Sequence, residues 1–351
     1  MNHRHTVSRK GKAVAGALAA GGVAVAVAAL VPSAAQASLP VAGHGAAAKT
    51  APRPAARFAP YVDATLTPPF DLPAVSKATG VKQFNLAFIQ RGGGCIPEWG
   101  GSSGLDANPV AAKIEELRRA GGDVRVSFGG ATGAELATAC SDPTQLAAAY
   151  QKVISAYHLT KVDFDIEGFG LHMPQVNTLR SKALAQLQKD NPRLDVTFTL
   201  PVLPNGLTPD GVKTLADAKA NGVRISAVNL MAMDYGPSFT GNMARYAMDA
   251  ASAAHGQIQR TLSLSDADAW KALTITPMIG VNDIKGEVFT LQDAKKLVAF
   301  AKSKHLGGFS LWSATRDKQC AGGTKDQADP TCSGVEQSDH AFTKVFASYQ
   351  G

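Results

Sequence analysis

Charged residues are scarce in this chain: Asp, Glu, Lys and Arg make up 18% of 351 residues and aromatic residues 7%, against a hydrophobic share of 45%. That balance describes a globular protein with apolar material for one large core or two modest ones. There is no H-E-x-x-H pair, which removes the common helical zinc site. No G-x-G-x-x-G turn stands out either, which removes the usual dinucleotide cradle and weakens the case for an open doubly wound sheet. The first 37 residues hold no acid at all.

That acid-free start is ordered. Arg4, Arg9, Lys10 and Lys12 precede an apolar Ala/Val/Gly/Leu run over 13–31, and Ala35-Gln36-Ala37 follows. Basic, then apolar, then small is the plan of a secretory signal peptide, so residues 1–37 are expected to be removed and the mature chain to begin near Ser38. A retained membrane anchor competes with this reading, but the run is marginal for a span and a cleavage-type site follows it. Loss of the four basic residues lowers the formal charge of +7 by four, so the basic character requires no nucleic-acid partner. Residues 38–57, rich in Ala and Pro, read as a linker. The expected product is extracellular, free of the membrane after cleavage, monomeric and without a metal or cofactor.

Four cysteines in an exported chain are most simply two disulfides, with three possible pairings. Cys320 with Cys332 would close a short loop rich in Gly, Asp and Thr. Cys95 with Cys140 would tie together two segments that each follow a candidate strand.

From residue 58 onward, β-rich runs alternate with Ala-, Leu- and Lys-rich stretches of helical character. Candidate strands cover 58–65, 81–90, 123–130, 160–168, 195–203, 225–235, 273–281 and 307–313. Candidate helices cover 108–120, 142–157, 175–189, 208–221, 241–256 and 291–305. Eight such units predict a (β/α)8 TIM barrel, one α/β catalytic domain over 58–351, whose site lies at the C-terminal ends of the strands.

The fourth strand carries the most informative pattern in the chain. Side chains alternate across a strand, so Asp163, Asp165 and Glu167 face one way while Val162, Phe164 and Ile166 face the other. A solvated edge strand or a hard-cation site would also use clustered acids. Neither explains an apolar partner face in the middle of a repeated βα pattern. Three stacked carboxylates repel and resist burial, an arrangement that suggests chemistry. At the other strand tips stand Ser127-Phe-Gly-Gly130, Met231-Ala-Met-Asp-Tyr-Gly236, Met278-Ile-Gly-Val-Asn-Asp283 and Ser310-Leu-Trp-Ser313. Small residues, aromatics and a few polar groups suit a sugar, which offers one apolar face and many hydroxyls.

These residues resemble glycoside hydrolase family 18, the chitinases and endo-β-N-acetylglucosaminidases. The family's D-x-x-D-x-D-x-E signature is matched in its last three acids, with Thr160 where the first Asp would stand. Its S-x-G-G motif is matched by Ser127, Gly129 and Gly130, and its Trp at the end of the last strand by Trp312. The resemblance covers the chain from about residue 58 onward. It implies a retaining, substrate-assisted glycosidase acting on chitin or other N-acetylglucosamine-containing oligosaccharides through an oxazolinium intermediate. Glu167 would be the acid and then the base, Asp165 would hold the acetamido N–H, and Asp163 would share a proton with Asp165. Ser127 would donate to Asp163 from below, Asp234 would contact substrate, and Trp312 would floor the pocket, with Met231 beside it. Met233 stands where many members carry a Tyr, so either Tyr235 supplies that hydroxyl from a shifted position or the contact is lost.

Several roles stay open on the residues alone. Trp99, in the Gly-rich loop after the second strand, either stacks a further sugar or packs on its own loop. Arg125 either compensates the acids from beneath or reaches solvent. Asn282 and Asp283 read as turn or capping residues. An endo-acting enzyme on glycan cores and a catalytically silent sugar-binding protein are the alternatives. The intact Glu167 and Asp165 argue against silence.

Overall fold

The computed structural model describes residues 58–132 and 134–349. The expected signal peptide, 1–37, and linker, 38–57, lie outside the described residues. Eight parallel strands succeed one another in chain order: β1 (Tyr61–Asp63), β2 (Gln83–Arg91), β3 (Asp123–Gly129), β4 (Lys161–Asp165), β5 (Asp195–Leu203), β6 (Ala227–Met231), β7 (Leu273–Thr276) and β8 (Gly308–Phe309). Each is hydrogen-bonded to the next. The ring closes where Phe58 bridges Phe309 in parallel, with the N–H groups of Ala59 and Tyr61 donating to the carbonyls of Phe309 and Leu311. This is the (β/α)8 barrel that the alternating runs predict. Most strands end before their apolar runs do, because the tips leave the ladder to build the upper face.

Helices Pro143–Ala156, Pro174–Asp190, Pro209–Ala220, Met243–Leu262 and Leu291–Lys304 form the outer layer. Their starts are written in short polar residues. Asp142 accepts from the N–H groups of Thr144 and Gln145, Thr208 from Gly211 and Asn242 from Arg245, while Thr290 and Asp293 form a capping box. The segment expected as one helix over 108–120 is a 3-10 turn, Ala111–Lys113, followed by Ile114–Arg119. Helices Leu72–Thr79, Gly168–Leu171, Asp266–Ala272 and Ala341–Ala347 are additional to the expected set. They are too short to show a period.

The main core lies between strands and helices. Phe128 and Phe164 stack at 5.2 Å, and Tyr150 meets both edge-on at 5.0 Å. Val162, Phe164 and Ile166 are all buried on this outward face of β4, as the alternation requires. Truncating one such ring costs on the order of 3–5 kcal/mol. Both disulfides take the expected pairing. Cys95 joins Cys140 and so ties the loop after β2 to the loop after β3, while Cys320–Cys332 closes a loop beyond β8.

β3 approaches β4 closely at the upper rim. Gly129 has φ +106°, and a Cβ there would stand 2.1 Å from the Asp165 carbonyl oxygen, which also accepts from the Gly130 N–H at 3.1 Å. No side chain fits between the strands at that point. Gly129→Ala is expected to lower the unfolding free energy in urea by roughly 3 kcal/mol or more, through backbone strain and the forced separation of the two strands. A loss below about 1 kcal/mol would contradict so close an approach.

Candidate active site

Asp163 and Asp165 of β4, with Glu167 just beyond it, stand at rising heights along the barrel. Asp163 is the deepest and has no exposure. Its Oδ2 accepts from the hydroxyls of Tyr61 at 2.8 Å and Ser127 at 2.6 Å, and its Oδ1 accepts from Thr199 at 2.7 Å. Three strands thus supply one donor each to a carboxylate on a fourth. Asn229 of β6 extends the network, donating to Thr199 at 3.0 Å and accepting from Thr274 and Thr276 at 3.0 and 2.8 Å. Burial nonetheless raises the Asp163 carboxyl above its ordinary range, the three hydroxyls and Arg125 opposing the shift.

Asp165 stands one pleat higher, 5% exposed, and its Oδ1 finds no hydrogen-bond partner among the described residues. Burial, then the charges of Glu167 and Asp163, hold its proton well above the usual carboxylate range. Glu167 lies just past the strand, in extended conformation, where Ile166 N–H still donates to the Thr199 carbonyl and the helix Gly168–Leu171 begins. Its carboxyl is pushed up to about 7, first by burial and then by the negative charge of Asp234. A buried acid without a donor beside a second acid that keeps its proton near neutrality fits a proton-transfer site better than a structural one.

Around them lies a pocket of about 170 Å³ lined by Tyr61, Phe88, Ala131, Asp165, Glu167, Thr199, Met231, Met233, Asp234, Thr276, Met278, Asp283 and Trp312. Trp312 stacks on Phe88 at 5.5 Å and meets Tyr61 at 6.1 Å, so three aromatic rings support one another along the pocket wall. Asp234 occupies a left-handed backbone conformation, φ +48°, and accepts from the Ile284 N–H at 3.1 Å, which fixes its carboxylate at the rim. Burial raises its pKa as well. Asp283 lines the same rim, whereas Asn282 is turned inward and donates to the carbonyls of Met278 and Gly280.

Two expectations require correction. Trp99 is fully buried, its indole N–H donating to the Tyr157 hydroxyl at 2.7 Å, so it packs beneath its loop and presents no face to a sugar. Tyr235 does not line the pocket either. Its ring is buried against Phe239 and Tyr246, and its hydroxyl has no partner there. The position of Met233 therefore brings a thioether, not a hydroxyl, to the pocket. Arg125 pairs with Asp195 at 3.1 Å near the N-terminal end of the barrel and bonds Thr197. Tyr61, Phe88, Thr199 and Asn229 carry the site without having been singled out from sequence. An inward position on a barrel strand was the one available signal for them.

No family model matches the chain. It is 36% identical over 310 residues to a probable bifunctional chitinase/lysozyme of Escherichia coli strain K12, a match covering 83% of this chain and 34% of that protein. It is 36% identical over 277 residues to endochitinase 11 of Metarhizium anisopliae, covering 75% of this chain and 53% of that one. The chain thus spans about a third to a half of the curated relatives it matches. Among solved structures, the catalytic domain of a hyperthermophilic chitinase from Pyrococcus furiosus superposes with a TM-score of 0.77 at 37% identity, covering 85% of this chain and 96% of that one. A solved GH18 chitinase at 16% identity shares the fold. With the barrel, the acid ladder on its fourth strand and these relatives in agreement, the chain belongs to the chitinase-like proteins of glycoside hydrolase family 18.

Proposed function

We propose that this pocket hydrolyses β-1,4 bonds between N-acetylglucosamine units, in chitin or chito-oligosaccharides, with retention of configuration. The observation that carries the reading is the unpartnered, buried Asp165 Oδ1 beside a Glu167 carboxyl whose pKa is pushed up to about 7, so that a substantial fraction keeps its proton at neutral pH. Glu167 gives its proton to the glycosidic oxygen, and the leaving sugar departs with the bonding pair. The acetamido carbonyl oxygen of the sugar above Trp312 bonds to the anomeric carbon as that bond breaks. Asp165 accepts the acetamido N–H, and the single negative charge of the proton-sharing Asp163–Asp165 pair, held chiefly on Asp163 in its three-hydroxyl cradle, steadies the oxazolinium cation. Glu167, now anionic, removes a proton from water as the water attacks the same carbon, and the acetamido oxygen leaves that carbon with the bonding pair. Two inversions at one centre give retention without a carboxylate nucleophile, the substrate-assisted exception among glycosidases.

The Met231 and Trp312 walls enclose the apolar face of the sugar, and Asp234 meets its hydroxyls. The two disulfides support an oxidising destination, so the mature protein, a monomer beginning near Ser38, acts outside the cell. No helix among the described residues is long and apolar enough to cross a membrane.

Glu167→Gln is expected to lower turnover of a fluorogenic diacetylchitobioside by at least about 100-fold while oligosaccharide binding stays measurable by calorimetry. Equal activity in both proteins would remove Glu167 from its role. In the wild type, turnover is expected to decline as pH rises through about 7, where the acid loses its proton. The stability contribution of this group falls over the same range. The folded carboxyl titrates at about 7, above its ordinary 4.5, so its contribution favours folding below pH 4.5 and is lost as pH climbs through 7. Glu167→Gln is therefore expected to stabilise the protein by roughly 2–3 kcal/mol at pH 8 and negligibly at pH 4, as read from thermal melts at the two pH values.

A further inference from the structure

Phe169 is 71% exposed, the most exposed large apolar side chain among the described residues. Its neighbours on the four-residue helix Gly168–Leu171, Gly170 and Leu171, are buried. The turn is closed by the His172 N–H, which donates to the Phe169 carbonyl at 3.2 Å, and it begins directly after Glu167, which lines the pocket. A hydrogen-bonded turn with buried neighbours thus holds one aromatic ring out in water, at a cost in hydrophobic free energy that the fold does not recover.

Its place in the barrel gives the ring a use. Phe169 follows Glu167 by two residues, so their Cα atoms are no more than about 7 Å apart. β4 and β8 lie opposite each other in a closed ring of eight strands, which sets Trp312 and Phe169 on opposite sides of the acid. A sugar seated over Trp312 directs its glycosidic oxygen to Glu167, and the sugar beyond that oxygen extends over the loop after β4.

We propose that Phe169 is a stacking platform for the leaving-group side of the substrate, an N-acetylglucosamine unit on the reducing side of the cleaved bond. This rests on the glycosidase reading above and adds the residue that selects substrates with a sugar in that position. The ring contacts substrate through its face and takes no part in proton transfer.

The test compares two substrates across Phe169→Ala, Phe169→Trp and the wild type. Chitohexaose places sugars on both sides of the cleaved bond, whereas the oxazoline of chitobiose has no leaving sugar and requires only the Trp312 side. Phe169→Ala is expected to lower kcat/KM on chitohexaose about tenfold, mainly through KM, with less than a twofold change on the oxazoline. Phe169→Trp is expected to retain the wild-type value on chitohexaose. An equal fall on both substrates would show that Phe169 supports the acid loop and would overturn the platform. So would an unchanged kcat/KM on chitohexaose in Phe169→Ala. A wild-type protein inactive on both substrates would instead remove the glycosidase reading, and the platform with it.

Discussion

A carboxylate with no access to water has to be satisfied from every side, and Asp163 is that carboxylate. Its two oxygens take hydroxyl donors from β1, β3 and β5, so the relative heights of four strands are fixed by one buried group. The site above it follows from this anchoring. Asp165 cannot readily ionise over a buried acid, and Glu167 is raised in turn by burial and by Asp234. The polar interior weakens the barrel, since hydrophobic filling would pack the same space without repulsion. The apolar stack of Phe128, Phe164 and Tyr150 outside the strands offsets that cost. Stability and chemistry are thereby assigned to opposite faces of the same strand, β4.

How legible this was depended on whether a residue's role could be read from local pattern alone. The acid ladder has period two and sits among apolar partners, so the strand and its functional face are visible without coordinates. The barrel is visible as an alternation of eight β-rich and helical runs, and the longer helices from their caps and amphipathic length. The cysteine pairing is legible because Cys320 and Cys332 bound one short loop, and because Cys95 and Cys140 each follow a candidate strand, whose ends the barrel gathers on one face. Tyr61, Thr199 and Asn229 left no such trace. Thr and Asn on a strand are ordinarily surface residues and Tyr is intermediate, and only the closed ring brings Tyr61 of β1 and Thr199 of β5 to one aspartate and Asn229 of β6 to those two hydroxyls. Trp99 and Tyr235 failed for the complementary reason. Burial of an aromatic residue near a loop is decided by what packs over it, here Tyr157 for one and Phe239 with Tyr246 for the other.

Methionine at three positions of the pocket wall gives this site a different surface from one lined by hydroxyls. Met231, Met233 and Met278 bring polarizable, unbranched side chains that adapt to an apolar group without directing a hydrogen bond. The hydroxyls that do reach the pocket are already committed: Tyr61 and Thr199 to Asp163, and Thr276 to Asn229. Direction in the site therefore comes from the carboxyls, and shape from sulfur and aromatic carbon.

The placement of tryptophan has an optical consequence. The chain holds three: Trp99 is sealed in the interior against Tyr157, Trp270 lies in the outer layer stacked on His255 at 4.1 Å, and Trp312 alone borders the cleft. Light emitted by two of the three indoles is insulated from whatever enters the barrel mouth. A change in intrinsic emission on adding a saccharide then arises from a single ring, so the native protein carries its own occupancy sensor without a label.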